Sequence, residues 1–174
     1  MKIKTIYNNK DWFDKTQPLK IIDNLPPKYA NDFRKKNIKA IVNIGGCNFY
    51  IGLVHSDYLI GVLGFSNPDY GTYDVFLKAD TTPSDYEFST DLLLFVLRTK
   101  EVKQALERKF NRTIDTAYSM CFSQHNAINR YRKHGDCIIK KEIQGGFNLG
   151  YLFNLGNIQS LKAAKAEWMQ KHKI

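Results

Sequence analysis

The succession of apolar runs in this chain predicts an α+β domain: a mixed, mostly antiparallel sheet flanked by helices, with an amphipathic helix at the C-terminus. Three observations carry that prediction. β-Branched and aromatic runs follow one another between residues 39 and 80, separated by turn residues rather than by helices. A long stretch of helical periodicity then stands between this meander and a further strand. That strand leads into a short helix and two strands that meet at Gly145-Gly146. With 174 residues, 43% of them hydrophobic and 13% aromatic, the chain can bury a core without staples. One domain over residues 1–174 is therefore expected.

Residues 1–37 read as irregular with one short helix. In LPPKYANDFRKK, Pro26 and Pro27 stand where proline suits the first helical position. KAIVNI (39–44), CNFYIGLVH (47–55) and YLIGVLGFS (58–66) read as strands. The break at Ser56-Asp57 is short enough for a hairpin, so the last two should pair antiparallel. SNPDYG is a turn cluster, and TYDVFLKAD (72–80) reads as a fourth strand. In TTPSDYEF, Ser84 and Glu87 have capping-box spacing, which predicts one helix running to about Phe110. Leu92, Val96, Leu106 and Phe110 would form its core-facing stripe, and Asn111 would end it. A strand over 114–122 precedes a short helix carrying Ala127, Ile128 and Tyr131, stopped by Gly135. CIIKKEI (137–143) and GFNLGYLFNL (146–155) form a closing hairpin. Ser160 caps a basic amphipathic helix within 158–174.

Composition narrows the function. No apolar run approaches the roughly 20 residues of a membrane-spanning helix, and the N-terminus shows no secretory pattern. Cys47, Cys121 and Cys137 are widely spaced and form no zinc-like cluster, so reduced thiols, a cytoplasmic setting and no metal are expected. Net charge is +9, and it is polarised. Residues 1–41 carry ten basic and four acidic side chains, residues 42–96 one and seven, residues 97–141 eleven and four. A chain so divided suits a polyanion met by one face, although a lysine-rich surface also serves solubility alone.

The residues with chemical potential gather around the short helix. Ala127 and Tyr131 share one helical face, with Tyr131 either a packed phenol or a general acid. Arg130, Arg132 and Lys133 surround it, and Arg108, Lys109 and Arg112 close the long helix. These six are the candidate nucleic-acid contacts, through phosphate. Tyr118, Phe122 and Tyr151 are candidate walls for a flipped base. Asp74 and Ser119 join Tyr131 as candidate catalytic groups. His55, His125 and His134 read as solvated loop histidines, and Cys121 as a buried small hydrophobe.

The run Gln124, Ala127, Arg130-Tyr131, Gly135-Asp136 resembles the N-x-x-A-x-x-L-Y-x-x-x-G-F pattern of the GNAT acyltransferase fold. Glutamine stands for its asparagine, arginine for its leucine and aspartate for its phenylalanine. The resemblance covers about residues 38–155. It implies a tyrosine that protonates a departing coenzyme A thiolate, and a fourth and fifth strand that splay apart around the pantetheine arm. The donor, acetyl-CoA or a related acyl-CoA, would then lie along Phe76, Leu77, Lys78 and Ala79. Its phosphates would meet Ser84, Ser89, Thr90 and the helix start, with Asn126 nearby. The family's glycine-rich phosphate loop is absent from TTPSDYEFST, and Asp85, Glu87 and Asp91 add negative charge there.

The chain is also similar to the Mom-type DNA-modification proteins of phages, which lack that loop too. The similarity rests on the Tyr131-Arg132 pair and on a strand ending in T-x-T-P-like residues before a glycine-free helix. It implies transfer of a small acyl-derived group to a nucleobase amine in DNA, as protection from host restriction, in the host cytoplasm. Ala117-Tyr118-Ser119-Met120 replaces a strand that usually reads S-Y-A-D, so the expected aspartate is missing. An acetyl-CoA-dependent N-acetyltransferase acting on a protein or small amine is the first alternative. A non-catalytic DNA- or protein-binding module is the second.

Overall fold

A computed structural model describes residues 12–38, 45–68, 73–123 and 127–174. Among the described residues seven strands form one sheet, in the order β1-β2-β3-β4-β5-β7-β6. They are β1 (Leu19–Ile22), β2 (Phe49–His55), β3 (Tyr58–Ser66), β4 (Val75–Thr81), β5 (Thr116–Phe122), β6 (Asp136–Ile143) and β7 (Gly146–Asn154). The helices are α1 (Pro27–Asn37), α2 (Ser89–Leu97), α3 (Lys100–Phe110), α4 (Ala127–Tyr131) and α5 (Leu161–His172). All pairings are antiparallel except that of β4 with β5. The α+β architecture, the sheet and the C-terminal helix are as expected from the sequence.

Both hairpins follow from turn chemistry. Ser56 and Asp57 take left-handed φ values of 47° and 64°, the twist that a two-residue link between antiparallel strands needs. Gln144 and Gly145 join β6 to β7, with Gly145 at a left-handed φ of 86° and Gly146 opening β7 opposite Ile143. Strand β1 falls in a segment expected to be irregular, where four residues flanked by Pro18 and Asp23 leave little periodicity to read. The expected strand at 39–44 lies outside the described residues.

The long helix expected from Ser84 to Phe110 is two helices. Ser84 to Phe88 form turns, Phe88 takes a left-handed φ of 58°, and α2 starts at Ser89 without a side-chain cap. The break falls at Thr99, which is extended and caps α3 through Val102 N–H. Its hydroxyl also donates to Val96 O at 2.7 Å. Ile158 clips the break from outside: Lys100 N–H donates to Ile158 O, and Ile158 N–H to Arg98 O. No glycine or proline marks this junction, so helical periodicity runs through it. Leu92, Val96 and Leu106 are fully buried as the stripe required, while Phe110 is only partly covered.

Asp91 ties three helical segments together. Its carboxylate accepts from His134 Nε2 (2.8 Å), from Lys171 Nζ (2.8 Å) and from His172 Nε2 (2.7 Å). Burial alone would raise its pKa. The three hydrogen bonds outweigh that and hold the carboxyl well below the usual range. Its contribution to stability is therefore complete above the unfolded-state pKa near 4 and disappears as pH falls below it. Asp91→Ala should cost about 3–5 kcal/mol, the scale for breaking a buried ion pair. Lys20→Ala at the exposed Lys20–Asp57 pair should cost under about 1 kcal/mol. Urea unfolding at pH 7 compares them; equal midpoints would refute the central role of Asp91.

Candidate functional site

Strands β4 and β5 pair only at Val75–Ala117 and Phe76–Tyr118. Beyond these pairs they part, and the β5-facing edge of β4 from Lys78 onward has no ladder. The last link across the gap is a side chain: Ser119 Oγ–H donates to Leu77 O at 2.9 Å. A cavity of about 690 Å³ opens beside the parted strands. Its walls are the end of β4, the 82–88 loop with the first turn of α2, Arg34 and Asn37 of α1, and Arg130 of α4. The first turn of α2 leaves backbone N–H groups without intrahelical acceptors, and no side chain caps them.

Tyr131 is buried in the core, its ring edge-on to Tyr151 and Phe153. Its hydroxyl is hydrogen-bonded to Asp80 and to Ser119. Burial, followed by the neighbouring Asp80 charge, raises the phenol well above its usual pKa. Asp80 stands between Tyr131 and the cavity, which it lines. Burial lifts its carboxyl to about 6, against the pull of Arg130, the Tyr131 bond and Arg34. The result is a chain of exchangeable protons: Asp80, Tyr131, Ser119, ending on the carbonyl of Leu77. When Asp80 is protonated, each hydroxyl can donate to the next group in line. When it is ionised, Tyr131 must donate to it instead.

The structure brings Tyr131 and Ser119 together and leaves Asp74 apart. Asp74 sits at the closed start of β4, where its carboxylate accepts from Asp115 N–H (2.7 Å) and Thr116 N–H (3.0 Å). Six residue steps along the strand separate it from Asp80, about 20 Å. Asp74 therefore latches the two strands and does not face the cavity. Of the candidate donor-binding residues, Lys78, Ala79, Ser84, Ser89 and Thr90 line the cavity. Phe76 and Leu77 do not: Phe76 lies against Tyr118, and the Leu77 carbonyl is taken by Ser119. Asn126 and His125 lie outside the described residues.

The six basic candidates divide. Arg130 and Lys133 line the cavity, and Arg132 is exposed beside them. Arg108 pairs with Asp23, Arg112 with Asp74, and Lys109 lies over the Phe49 ring. The α3 trio is thus occupied at the closed end of the sheet. Nor do Tyr118, Phe122 or Tyr151 line the cavity. Tyr118 stacks on Tyr73 at 4.4 Å over Gly150, where an added Cβ would fall 2.3 Å from the phenol oxygen.

The expectation of solvated histidines is corrected for two of them. His55 is buried against Phe13, and its Nε2 accepts from Asp14 N–H at 2.9 Å. His134 is buried between Asp91 and Arg98. Burial lowers its pKa, so the ring is neutral with its proton on Nε2 toward Asp91. The cysteines form no disulfide, Cys121 being buried and Cys137 exposed. Among the described residues no group of metal-ligating side chains occurs, and no helix is long and apolar enough to cross a membrane.

Asp80 is the residue that sequence reasoning passed over. Its signal was alternation: Val75, Leu77 and Ala79 are buried, so Asp80 belongs to the other set of β4 side chains, beside the unpaired edge.

The fold is shared with known proteins. A family model described as a phage GNAT-like domain matches residues 19–173. The chain belongs to this phage GNAT-like family. Its fold is similar to that of Ard1 from Thermoplasma volcanium, with a TM-score of 0.51 at 8% identity over 79% of this chain and 98% of that one. A GNAT-family protein from Desulfovibrio desulfuricans gives 0.55 at 8% identity, over 78% and 98%. No curated protein sequence matches significantly. The phage GNAT-like chain thus has an acyltransferase-like fold with a carboxylate at its cleft.

That carboxylate has a thermodynamic signature. Unfolded Asp80 ionises near pH 4 and folded Asp80 near 6, so stability falls as pH rises through this window and the cost is complete above it. Asp80→Asn should raise stability by about 2–3 kcal/mol at pH 7.5 and leave it nearly unchanged at pH 4. Thermal unfolding at the two pH values tests this; an equal effect at both would refute it.

Proposed function

We propose that this protein is an N-acyltransferase that takes an acyl group from a coenzyme A-type thioester and uses Asp80 to move the proton. The observation that carries the reading is the parted β4–β5 edge, with an acid of pKa about 6 at its mouth. The fit to a donor rests on three features. The unladdered backbone of Lys78 to Thr81 can hydrogen-bond the amides of a pantetheine arm. The uncapped first turn of α2 can receive phosphate without any glycine loop. The negative charge of Asp91 in that turn is already matched by Lys171, and its oxygens also accept hydrogen bonds from the two histidines.

The thioester supplies an activated carbonyl. Asp80, ionised at neutral pH, accepts the proton that the amine loses as the new C–N bond forms. It returns that proton to the sulfur as the C–S bond breaks, so amide and free thiol leave together and Asp80 is restored. Tyr131 does not line the cavity. In this reading it positions Asp80 and stabilises its ionised form, rather than protonating the thiolate directly.

The finer reading, a nucleobase amine in DNA as acceptor, is supported by the phage family and by the rim of Lys78, Arg130 and Lys133. The occupied α3 trio supports the other acceptor class, a protein-borne or small amine. Nucleosides from cells expressing the protein, analysed by mass spectrometry, separate the two; a new acylated nucleoside is the expected result for DNA. Acetyl-CoA should raise the melting temperature, since a ligand of the native state alone must stabilise it. No shift would remove the donor assignment.

Turnover should show an acidic limb near pH 6, rising as Asp80 ionises. Asp80→Asn should lower kcat by about 10²–10⁴-fold, the range for loss of a positioned general base, with acetyl-CoA binding retained. Tyr131→Phe removes a hydrogen bond that favours ionised Asp80, so its limb should move to higher pH. A limb that stays in place in Tyr131→Phe would defeat the positioning role.

A further inference from the structure

We infer that the α1 wall of the cavity is an oxyanion site, in which Arg34 and Arg130 hold a carboxylate or phosphate group carried by the amine acceptor. The inference rests on the transferase reading above and names the substrate class for it.

Arg34 is 6% exposed although it is a permanent cation. One end of its guanidinium is fixed: Nη1 donates to Gly45 O at 3.1 Å and to the Tyr50 hydroxyl at 3.4 Å. That hydroxyl is itself pinned, accepting from Cys47 N–H (3.0 Å) and donating to Asn31 Oδ1 (3.1 Å). The Nε–H is sealed from solvent and has no partner. Half-buried Arg130 shares one of these features, a buried Nε with no hydrogen-bond partner among the described residues. Both residues line the same cavity.

A buried donor without an acceptor is costly, and a buried cation without an anion more so. The acid that both arginines act on is Asp80. One carboxylate facing two guanidiniums, with Lys78 and Lys133 on the rim, leaves this side of the cavity short of negative charge. Glu87 and Asp91 belong to the opposite, α2 wall, and Asp91 already has three donors. With Nη1 anchored by protein acceptors and Nε without one, the unanswered donor capacity of Arg34 is on its Nε side, where a guanidinium engages carboxylate or phosphate. An anionic group seated there would put a neighbouring amine within reach of Asp80.

The test is calorimetric titration of the full-length protein with two matched pairs of probes. Deoxyadenosine 5′-monophosphate against deoxyadenosine reads phosphate; β-alanine against β-alaninamide reads carboxylate. In the wild type, the anionic member of one pair should bind at least about tenfold more tightly than its neutral partner. Arg34→Gln should abolish that preference, and Arg34→Lys should keep only part of it. If Arg34→Gln does not fold, Arg34→Lys and Arg130→Gln carry the test, each with a reduced preference. A wild type that binds charged and neutral probes alike, or variants that keep the full preference, would overturn the site. Coenzyme A is titrated separately and should bind Arg34→Gln as it binds wild type. An equal loss there would place the arginines in the donor site and overturn the acceptor assignment. If wild type fails to bind coenzyme A at all, the transferase reading falls, while the anion preference is still read directly.

Discussion

The constraint on which this molecule turns is that β4 has a partner on one side and, over half its length, none on the other. Its β3 edge is paired from Ser66–Phe76 to Val62–Thr81, with one register shift that leaves Lys78 unpaired, so that side of the strand is held along its length. Its β5 edge is paired at two positions only. Backbone N–H and C=O groups that face neither a ladder nor a core must be satisfied by water, side chain or ligand. Ser119 caps the first of these, the Leu77 carbonyl, and thereby fixes where pairing ends. Everything beyond it is available to a guest that can offer amides in sequence.

Holding the strands apart requires supports at both ends of the gap. At the closed end Asp74 bonds successive amides of β5 and so locks the register of the parallel pair. At the open end α2 must project its first turn toward the cleft, and Asp91 keeps it there by joining α2 to the turn after α4 and to the last turn of α5. A carboxylate in that position would oppose phosphate binding if it were free. With Lys171 and two histidines spending its lone pairs, the first turn keeps the attraction of its own N–H groups. One residue thus both braces the helix and removes an electrostatic objection to an anionic ligand.

Much of the sheet was legible because its signals were local. Ser56-Asp57 and Gly145-Gly146 announced their hairpins, and the Ala127–Tyr131–Gly135 spacing placed α4 between β5 and β6. What escaped reading was set by contacts distant in sequence. Thr99 breaks the long helix because Ile158, some sixty residues on, offers it bridge partners, and no local breaker records that. Asp74 and Asp80 look equivalent in sequence, two aspartates on one strand, yet one end of the strand is zipped and the other open. The basic candidates are divided in place, since the pairings of Arg108 and Arg112 depend on Asp23 and Asp74. The histidines looked solvated because their partners, Asp14 and Asp91, lie far away in the chain.

The distribution of uncompensated polarity separates structure from function here. Where a buried charge serves folding it is fully paired, as Asp91 is. Around the cavity the opposite holds: Asp80 is ionised only reluctantly, Arg34 and Arg130 keep sealed donors unused, and the α2 turn is uncapped. Each of these costs stability in the free protein, and a fold selected for stability alone would have neutral residues at such positions. The costs also have opposite signs of charge, so they cannot be explained as one misplaced field. They become mutually consistent if the cavity receives one guest that brings phosphate to α2 and another that brings an anion to α1, with the proton-accepting Asp80 between them. A non-catalytic module using the same fold would need the basic rim, but it would have no use for a carboxylate of pKa about 6 wired to two hydroxyls at the mouth of the gap.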